Sequence, residues 1–269
     1  MDRPHCLTIA GSDPGGGAGI QGDLKTFTVL GAYGMAVITA LTAQNSRGVT
    51  GVHAVPPDFV RLQMRTLFDD IPVSAAKTGM LATAEIIGAV LAELPPGLPL
   101  VADPVMVSTS GSRLLEESAI DAVRRLLMPR CAIATPNATE AEVLTGIRIR
   151  SVDGAVRAGL AIAGMGAGAV LVKGGDSSIE EGQVVDVLVA DGTTTVLRSP
   201  RVETSHTHGS GCALASALCV GIARGLSVTA SVNLARRFVA AGIRSAHAVG
   251  GGNGPVDHLH ALGPGAPEY

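Results

Sequence analysis

Short apolar runs alternate along the chain with longer segments of helical period. The runs HCLTIA (5–10), MAVITAL (35–41), PLVAD (99–103), CAIAT (131–135) and AVLVK (169–173) are aliphatic and partly β-branched, and they predict strands. Between them, Val60, Met64, Leu67, Phe68 and Ile71 fall at i, i+4, i+7, i+8 and i+11, and Ala119, Val123, Leu126 and Leu127 repeat that spacing. Both segments predict helices that turn one apolar stripe to a core. Strand and helix in alternation imply crossover connections, and so a mostly parallel sheet covered by helices. One stretch departs from this pattern. VVDVLVADGTTTVLR (184–198) places Asp-Gly between two β-prone arms, which predicts an added hairpin and a mixed sheet near its end. No Pro- or Ser-rich linker and no internal repeat divides the chain, so the pattern predicts one domain over residues 1–269, with a loose tail GPGAPEY.

Composition refines this picture. Hydrophobic residues make up 46% of the 269, but only four Phe and two Tyr are present and no Trp, so the core is aliphatic. The net charge of −3 comes from interspersed acids and bases, with no run of five like charges to suggest a nucleic-acid or membrane surface. The expected partner is a small molecule. The segment MDRPHCLTIAG lacks a secretory apolar region, and the longest apolar stretches are broken well short of ~20 residues, so the expectation is a soluble, cytoplasmic protein. Cys6, Cys131, Cys212 and Cys219 form no CxxC pair, and the first, second and fourth sit among apolar neighbours as small buried hydrophobes.

Four stretches carry candidate chemistry. In AGSDPGGGAGIQGDLKT (10–26), a glycine-rich turn follows a strand and opens a helix. Gly17, Gly19 and Gly22 match GxGxxG, yet no Asp or Glu lies between Asp23 and Asp58 to hold a ribose, and no Walker A loop is present. The glycines suit either a tight turn or the close approach of backbone to a flat ligand, with Asp23 offering a carboxylate in the first helical turn. In TALTAQNSRG (39–48) a strand ends in Gln44 and Asn45, and Gln44 is either a turn residue or a paired donor and acceptor for a heterocycle bearing an amino group beside a ring nitrogen. Met80, in AAKTGML (75–81), is either core or an adaptable apolar surface for a ring. Asp103, followed by proline in DPVMVSTSG (103–111), leaves the sheet at the ligand crevice, suited to metal-phosphate handling.

In TPNATEAE (135–142), Asn137 and Glu140 stand at i, i+3 where a strand passes into a helix. The pair suits either a hydrated magnesium with phosphate oxygens or a helix start favoured by the dipole. Lys173, in LVKGG (171–175), is either solvated or a phosphate neutraliser. In THGSGCALASAL (207–218), Gly209, Ser210, Gly211 and Cys212 precede a helix whose converging N–H groups form an anion hole. Such a field favours a thiolate and lowers the thiol pKa, so Cys212 reads as a general base for a substrate hydroxyl, against the alternative of a buried helix cysteine. His206 and His208 are too few to hold a metal.

With AGSDPGGGAGIQGDLKT, TALTAQNS, KTGML, DPVMVSTSG, TPNATEAEVLTG, VLVKGG and THGSGCALASAL in this order, the chain closely resembles the hydroxymethylpyrimidine and phosphomethylpyrimidine kinases of thiamine biosynthesis, in the ribokinase-like superfamily. The resemblance spans nearly the whole chain and leaves no room within it for a fused thiamine-phosphate synthase domain. It implies a three-layer αβα ribokinase-like fold, a homodimer, and magnesium-ATP as cosubstrate. It implies phosphorylation of 4-amino-5-hydroxymethyl-2-methylpyrimidine and then of its monophosphate. It places Asp23, Gln44, Met80 and Val107 at the aminopyrimidine, Cys212 at the catalytic-base position of the anion-hole motif, Asn137 and Glu140 in an NxxE metal-phosphate motif, and Asp103 and Lys173 at phosphate. This chain departs at Asp13-Pro14-Gly15 and Ser210, and carries Asp176 after Lys-Gly-Gly. Relatives that also accept pyridoxal tend to carry a second cysteine after DPVMV, where this chain has Ser108, so pyridoxal ranks below the pyrimidine. A catalytically idle pyrimidine-binding sensor would lose the base or the metal carboxylate, and both Cys212 and Glu140 are present.

Overall fold

The computed structural model describes residues 3–106, 114–177 and 179–262. In chain order, β1 (His5–Ala10), α1 (Gly19–Val29) and β2 (Tyr33–Ile38) form the first crossover unit. A separate antiparallel pair, β3 (Ala40–Asn45) and β4 (Gly48–Ala54), precedes α2 (Pro57–Asp70), β5 (Ala75–Thr78), α3 (Ala84–Glu93) and β6 (Leu100–Ala102). Then come α4 (Ile120–Ala122), β7 (Ile133–Ala134), α5 (Ala138–Thr145), α6 (Val152–Gly164), β8 (Ala169–Val172), the hairpin β9 (Gln183–Ala190) and β10 (Thr193–Pro200), α7 (Ser210–Ala223) and α8 (Val228–Arg244). The main sheet has eight strands in the order β10-β9-β8-β7-β6-β5-β1-β2. It is parallel from β8 to β2, and β9 runs antiparallel to both of its neighbours, as the Asp-Gly signal predicts.

The period-2 alternation of the strands divides the core. Leu7, Ile9, Met35, Val37 and Ala76 pack on one face with Val60 and Met64 of α2, Ile86 and Val90 of α3, and Ala158 and Ile162 of α6. Cys6, Ala75, Val101, Ile133 and Leu171 pack on the other with Phe27 of α1, Leu218 of α7 and Phe238 of α8. Helices on both faces of one sheet give the three-layer αβα arrangement. Cys6, Cys131 and Cys219 are buried, in agreement with the sequence, while Cys212 is only partly covered. Among the described residues no helix is long and apolar enough to cross a membrane.

Three expectations change. The stretch 117–130 is not one regular helix but a succession of 3-10, α and π turns, and Leu126 points outward at 49% exposure. The run MAVITAL is split, with β2 ending at Ile38 and Ala40 opening the separate β3. The four-residue β5 was not expected as a strand, because its third position is a lysine. The tail 263–269 and Val107 lie outside the described residues.

Candidate active site

A cleft of about 710 Å³ opens at the carboxyl ends of the parallel strands. Gly11, Ser12 and Asp13 line it after β1, Gly79 and Met80 after β5, Asp103 after β6, Asn137 and Glu140 after β7, and Lys173 after β8. The β3–β4 pair contributes Thr42 and Gln44 to one wall, and the start of α7 contributes Gly209, Ser210, Gly211 and Cys212. Every candidate from the sequence within the described residues lines this one cleft, except Asp23.

The α7 start explains its own openness. Helices α3, α5, α6 and α8 are capped by the side chains of Thr83, Asn137, Ser151 and Ser227. Before α7 stands Gly209 at φ 78°, with no side chain to accept a hydrogen bond. The Ser210 amide bonds the Thr207 carbonyl, and the Gly211 and Cys212 amides have no backbone partner among the described residues. They are left for an anion. Gly209 is obligatory on a second ground: a Cβ there would overlap the Gly17 carbonyl, so the two glycine-rich loops meet backbone to backbone.

Asp13 fastens that junction. Its carboxylate accepts from the amides of Gly15, Gly17 and Ala18 and lies 2.8 Å from His208 Nε2. Burial works against its charge, but the His208 and backbone hydrogen bonds outweigh it and hold the carboxyl below its usual range. His206 turns elsewhere, and its Nδ1 accepts from the Gly254 amide. The two histidines therefore fasten loops separately.

Asp23 corrects the sequence reading. It falls in the second turn of α1, fully buried, and its carboxylate accepts from Lys77 Nζ at 2.9 and 3.0 Å, Thr8 Oγ1 at 2.6 Å and Ser216 Oγ at 2.7 Å. It lies beneath the cleft with its acceptor capacity engaged, so it does not present a carboxylate to a ring. The helix begins only at Gly19, which moves Asp23 inward, onto the face that packs against β1 and β5. Lys77, which sequence reasoning passed over, is its partner and lines the cleft. The signal was available: a lysine inside an apolar strand demands a buried carboxylate.

Cys212 also departs from expectation. Burial pushes its thiol up to about 11; the Lys77 ammonium and the Gly19 amide pull down, while Asp23 and Asp103 push up. Here the helix start does not outweigh burial, which keeps the thiol above its ordinary value. Lys173 Nζ donates to Asp103 Oδ1 at 2.7 Å, and a Cβ on Gly211 would come within 3.3 Å of that Nζ, so the ion pair lies against the α7 start.

Asn137 and Glu140 form a capping box. Asn137 Oδ1 accepts from the Glu140 amide and Glu140 Oε2 from the Asn137 amide, each at 2.8 Å. The helix-start alternative is thus met, and the same cap lines the cleft. Burial and the neighbouring Asp103 carboxylate push the Glu140 carboxyl up to about 7, with Lys173 opposing. Gln44 lies half-buried with its Oε1 3.2 Å from the Thr42 hydroxyl, and its amide nitrogen has no partner among the described residues. Val202, Leu214, Val239, Ala240 and Ile243 give the cleft an apolar wall beyond the α7 start, and apart from Leu214 no sequence motif marked them.

Residues 13–257 match the sequence profile of a family described as phosphomethylpyrimidine kinase. The chain is 48% identical over 262 residues to the hydroxymethylpyrimidine/phosphomethylpyrimidine kinase of Streptomyces coelicolor, covering 97% of this chain and 96% of that one. Its fold is similar to a phosphomethylpyrimidine kinase from Clostridium difficile, with a TM-score of 0.78, 41% identity, and coverage of 90% and 100%. It is also similar to the pyridoxal kinase from Staphylococcus aureus in complex with AMP-PCP and pyridoxal, with a TM-score of 0.89, 32% identity, and coverage of 98% and 96%.

Proposed function

The chain belongs to the phosphomethylpyrimidine kinase family, and on that premise we propose that it carries the terminal phosphoryl group of ATP to the hydroxymethyl oxygen of 4-amino-5-hydroxymethyl-2-methylpyrimidine, then to the resulting monophosphate. The observation that carries this reading is the convergence of Cys212 and the open amides of α7 on one cleft with Gln44 and Met80.

Each residue then has a task set by its chemistry. Gln44 offers a carbonyl and an amide to the amino group and ring nitrogen of the pyrimidine, and Met80 supplies apolar surface to the ring. Val107 keeps the ring-site role that the resemblance gives it. The apolar wall of Val202, Leu214, Val239 and Ile243 suits the flat base of ATP. The amides of Gly211 and Cys212 hold the charge of the moving phosphoryl group, with Gly209 and Ser210 fixing their direction. Lys173, oriented by Asp103, stands at that charge. As thiolate, the Cys212 sulfur accepts the hydroxyl proton; the oxygen bonds to the γ-phosphorus as the bond to the β–γ bridging oxygen breaks, and its electron pair leaves with ADP.

Magnesium fits the donor set. Glu140 is a hard oxygen ligand whose negative charge is uncomfortable beside Asp103, and Asn137 stands next to it. Among the described residues no three His, Cys, Asp or Glu side chains gather into a cage, so a cation would come with the phosphates. Bound there, it would neutralise phosphate charge. The resemblance also supports a single-domain homodimer in the cytoplasm, and light scattering would test the dimer. A phosphorus-NMR time course with ATP and magnesium, comparing hydroxymethylpyrimidine, its monophosphate and pyridoxal, tests the reaction. Diphosphate product is expected; turnover of pyridoxal alone would overturn the assignment.

A further inference from the structure

The reading of Cys212 as a base leaves a difficulty in the cleft: burial and two carboxylates disfavour the thiolate it requires. The structure contains a fixed cation aimed at this problem. Lys77 is fully buried in β5, in register with Thr8 of β1, and both side chains point to the α1–α7 side of the sheet. There Asp23 of α1 takes two of the three ammonium protons, while Thr8 and Ser216 complete the carboxylate.

Ser216 lies four residues after Cys212 on α7, so the sulfur stands one turn from the hydroxyl that anchors the ion pair. Lys77 and Cys212 line the same cleft, and the third ammonium proton has no partner among the described residues. The backbone at Gly79 leaves space here, since a Cβ would come within 2.9 Å of Lys77 Nζ. The remaining polar groups facing the sulfur are the Gly19 amide of α1 and the Asp103 carboxylate after β6, and Lys173 lies next to Gly211.

We propose that Lys77 is a positioning residue for Cys212: held by Asp23, Thr8 and Ser216, its ammonium stands as a fixed charge in the field of the sulfur and sustains the thiolate that takes the substrate proton. The thiol proton leaves to solvent through the cleft before substrate closes it. Lys77 itself touches no reacting atom and stays charged. Burial works against that charge, but the Asp23 carboxylate raises its pKa above that of a free lysine.

The test is carbamidomethylation of the native protein by iodoacetamide between pH 7 and 10, read at Cys212 by peptide mass spectrometry. The other three cysteines are buried and serve as internal controls for folding. Lys77→Met leaves Asp23 unpaired and threatens the fold, so the neutral pair Lys77→Gln with Asp23→Asn is made beside it. In folded Lys77→Met, Cys212 labelling at pH 9 is expected to fall at least tenfold, with kcat for the hydroxymethyl substrate falling in parallel and KM within about twofold; the neutral pair also removes the Asp23 carboxylate that disfavours the thiolate, so a smaller but resolved fall is expected there. Wild-type labelling rates in a folded variant would overturn the proposal. If neither variant folds, the wild-type labelling profile decides: a Cys212 rate that levels off below pH 10 supports the ammonium's role, and one still rising tenfold per pH unit at pH 10 overturns it. Cys212→Ala with unimpaired first-step turnover would instead remove the base reading while leaving the labelling result intact.

Discussion

Cys212 is asked to take a proton from an alcohol in the first phosphorylation, but in the second the acceptor is a phosphate already ionised near neutral pH. The two steps therefore differ in their need for a base. Cys212→Ala is expected to slow the first phosphorylation by about 10²–10⁴-fold and the second much less, with pyrimidine binding near normal. Quench-flow assays on each acceptor check this, and equal losses on both would show that the sulfur serves geometry rather than proton transfer. The residue scale is also where sequence reading went furthest astray. Asp23 and Asp13 both follow the same strand, and a linear motif does not say which reaches the cleft. Folding does: α1 starts late enough to bury Asp23, while Asp13 stays at the loop and meets His208, 195 positions away. Partners so distant leave no local pattern, whereas Lys77 did leave one, a charge inside an apolar strand, that named neither its partner nor its place.

Among the elements, α7 starts on a left-handed glycine in place of a side-chain cap, and that start can be tested against another glycine of like conformation. Gly209 and Gly225 have φ values of 78° and 75°, but a Cβ at Gly209 runs into the Gly17 backbone whereas one at Gly225 meets nothing within 4 Å. Backbone strain alone is common to both, about 1 kcal/mol or somewhat more. Gly225→Ala is expected to show that loss alone, with kinetics unchanged. Gly209→Ala should lose ~2 kcal/mol or more and also displace the anion hole, lowering kcat. Urea denaturation with steady-state kinetics on both variants separates the effects, and equal stability losses would remove the backbone contact from the account. Elements were legible where pattern was long or unmixed. The β1, β6, β7 and β8 runs, the α2 stripe and the Asp-Gly hairpin all read correctly. The β5 run gave no strand signal because it is four residues long with a charge inside; the strand ending at Gln44 and Asn45 was legible as β3, whereas β4, exposed along most of its length, has no buried face to impose alternation.

Across the whole molecule, the cleft is a product of topology, since the parallel strands end on one side and each delivers a polar residue there. The C-terminal segment packs against the glycine-rich loop and His208, where the Val256 amide donates to the His208 carbonyl and a Cβ on Gly22 would come within 3.3 Å of His258 Nε2; His258 is 4% exposed, with that Nε2 unpartnered in the described structure. Burial, helped by the charge of Lys25, lowers its pKa from 6.5 to about 4. Above pH 6.5 the imidazole is neutral in both states and costs nothing; as pH falls from 6.5 toward 4, the unfolded chain binds a proton that the folded chain refuses. Stability is lost over that window, by about 3 kcal/mol in total. Glu140 runs the other way, because a carboxyl held near 7 takes its proton in the folded state before the unfolded one, at 4.5. The wild-type curve of metal-free protein is thus flattened by two opposing groups, and only a difference isolates either. His258→Gln should be relatively more stable than wild type at pH 4 than at pH 7, by about 3 kcal/mol, in urea denaturation at matched ionic strength. A difference that does not move with pH would mean that this imidazole is open to water, and that the C-terminal segment does not seal against the glycine-rich loop.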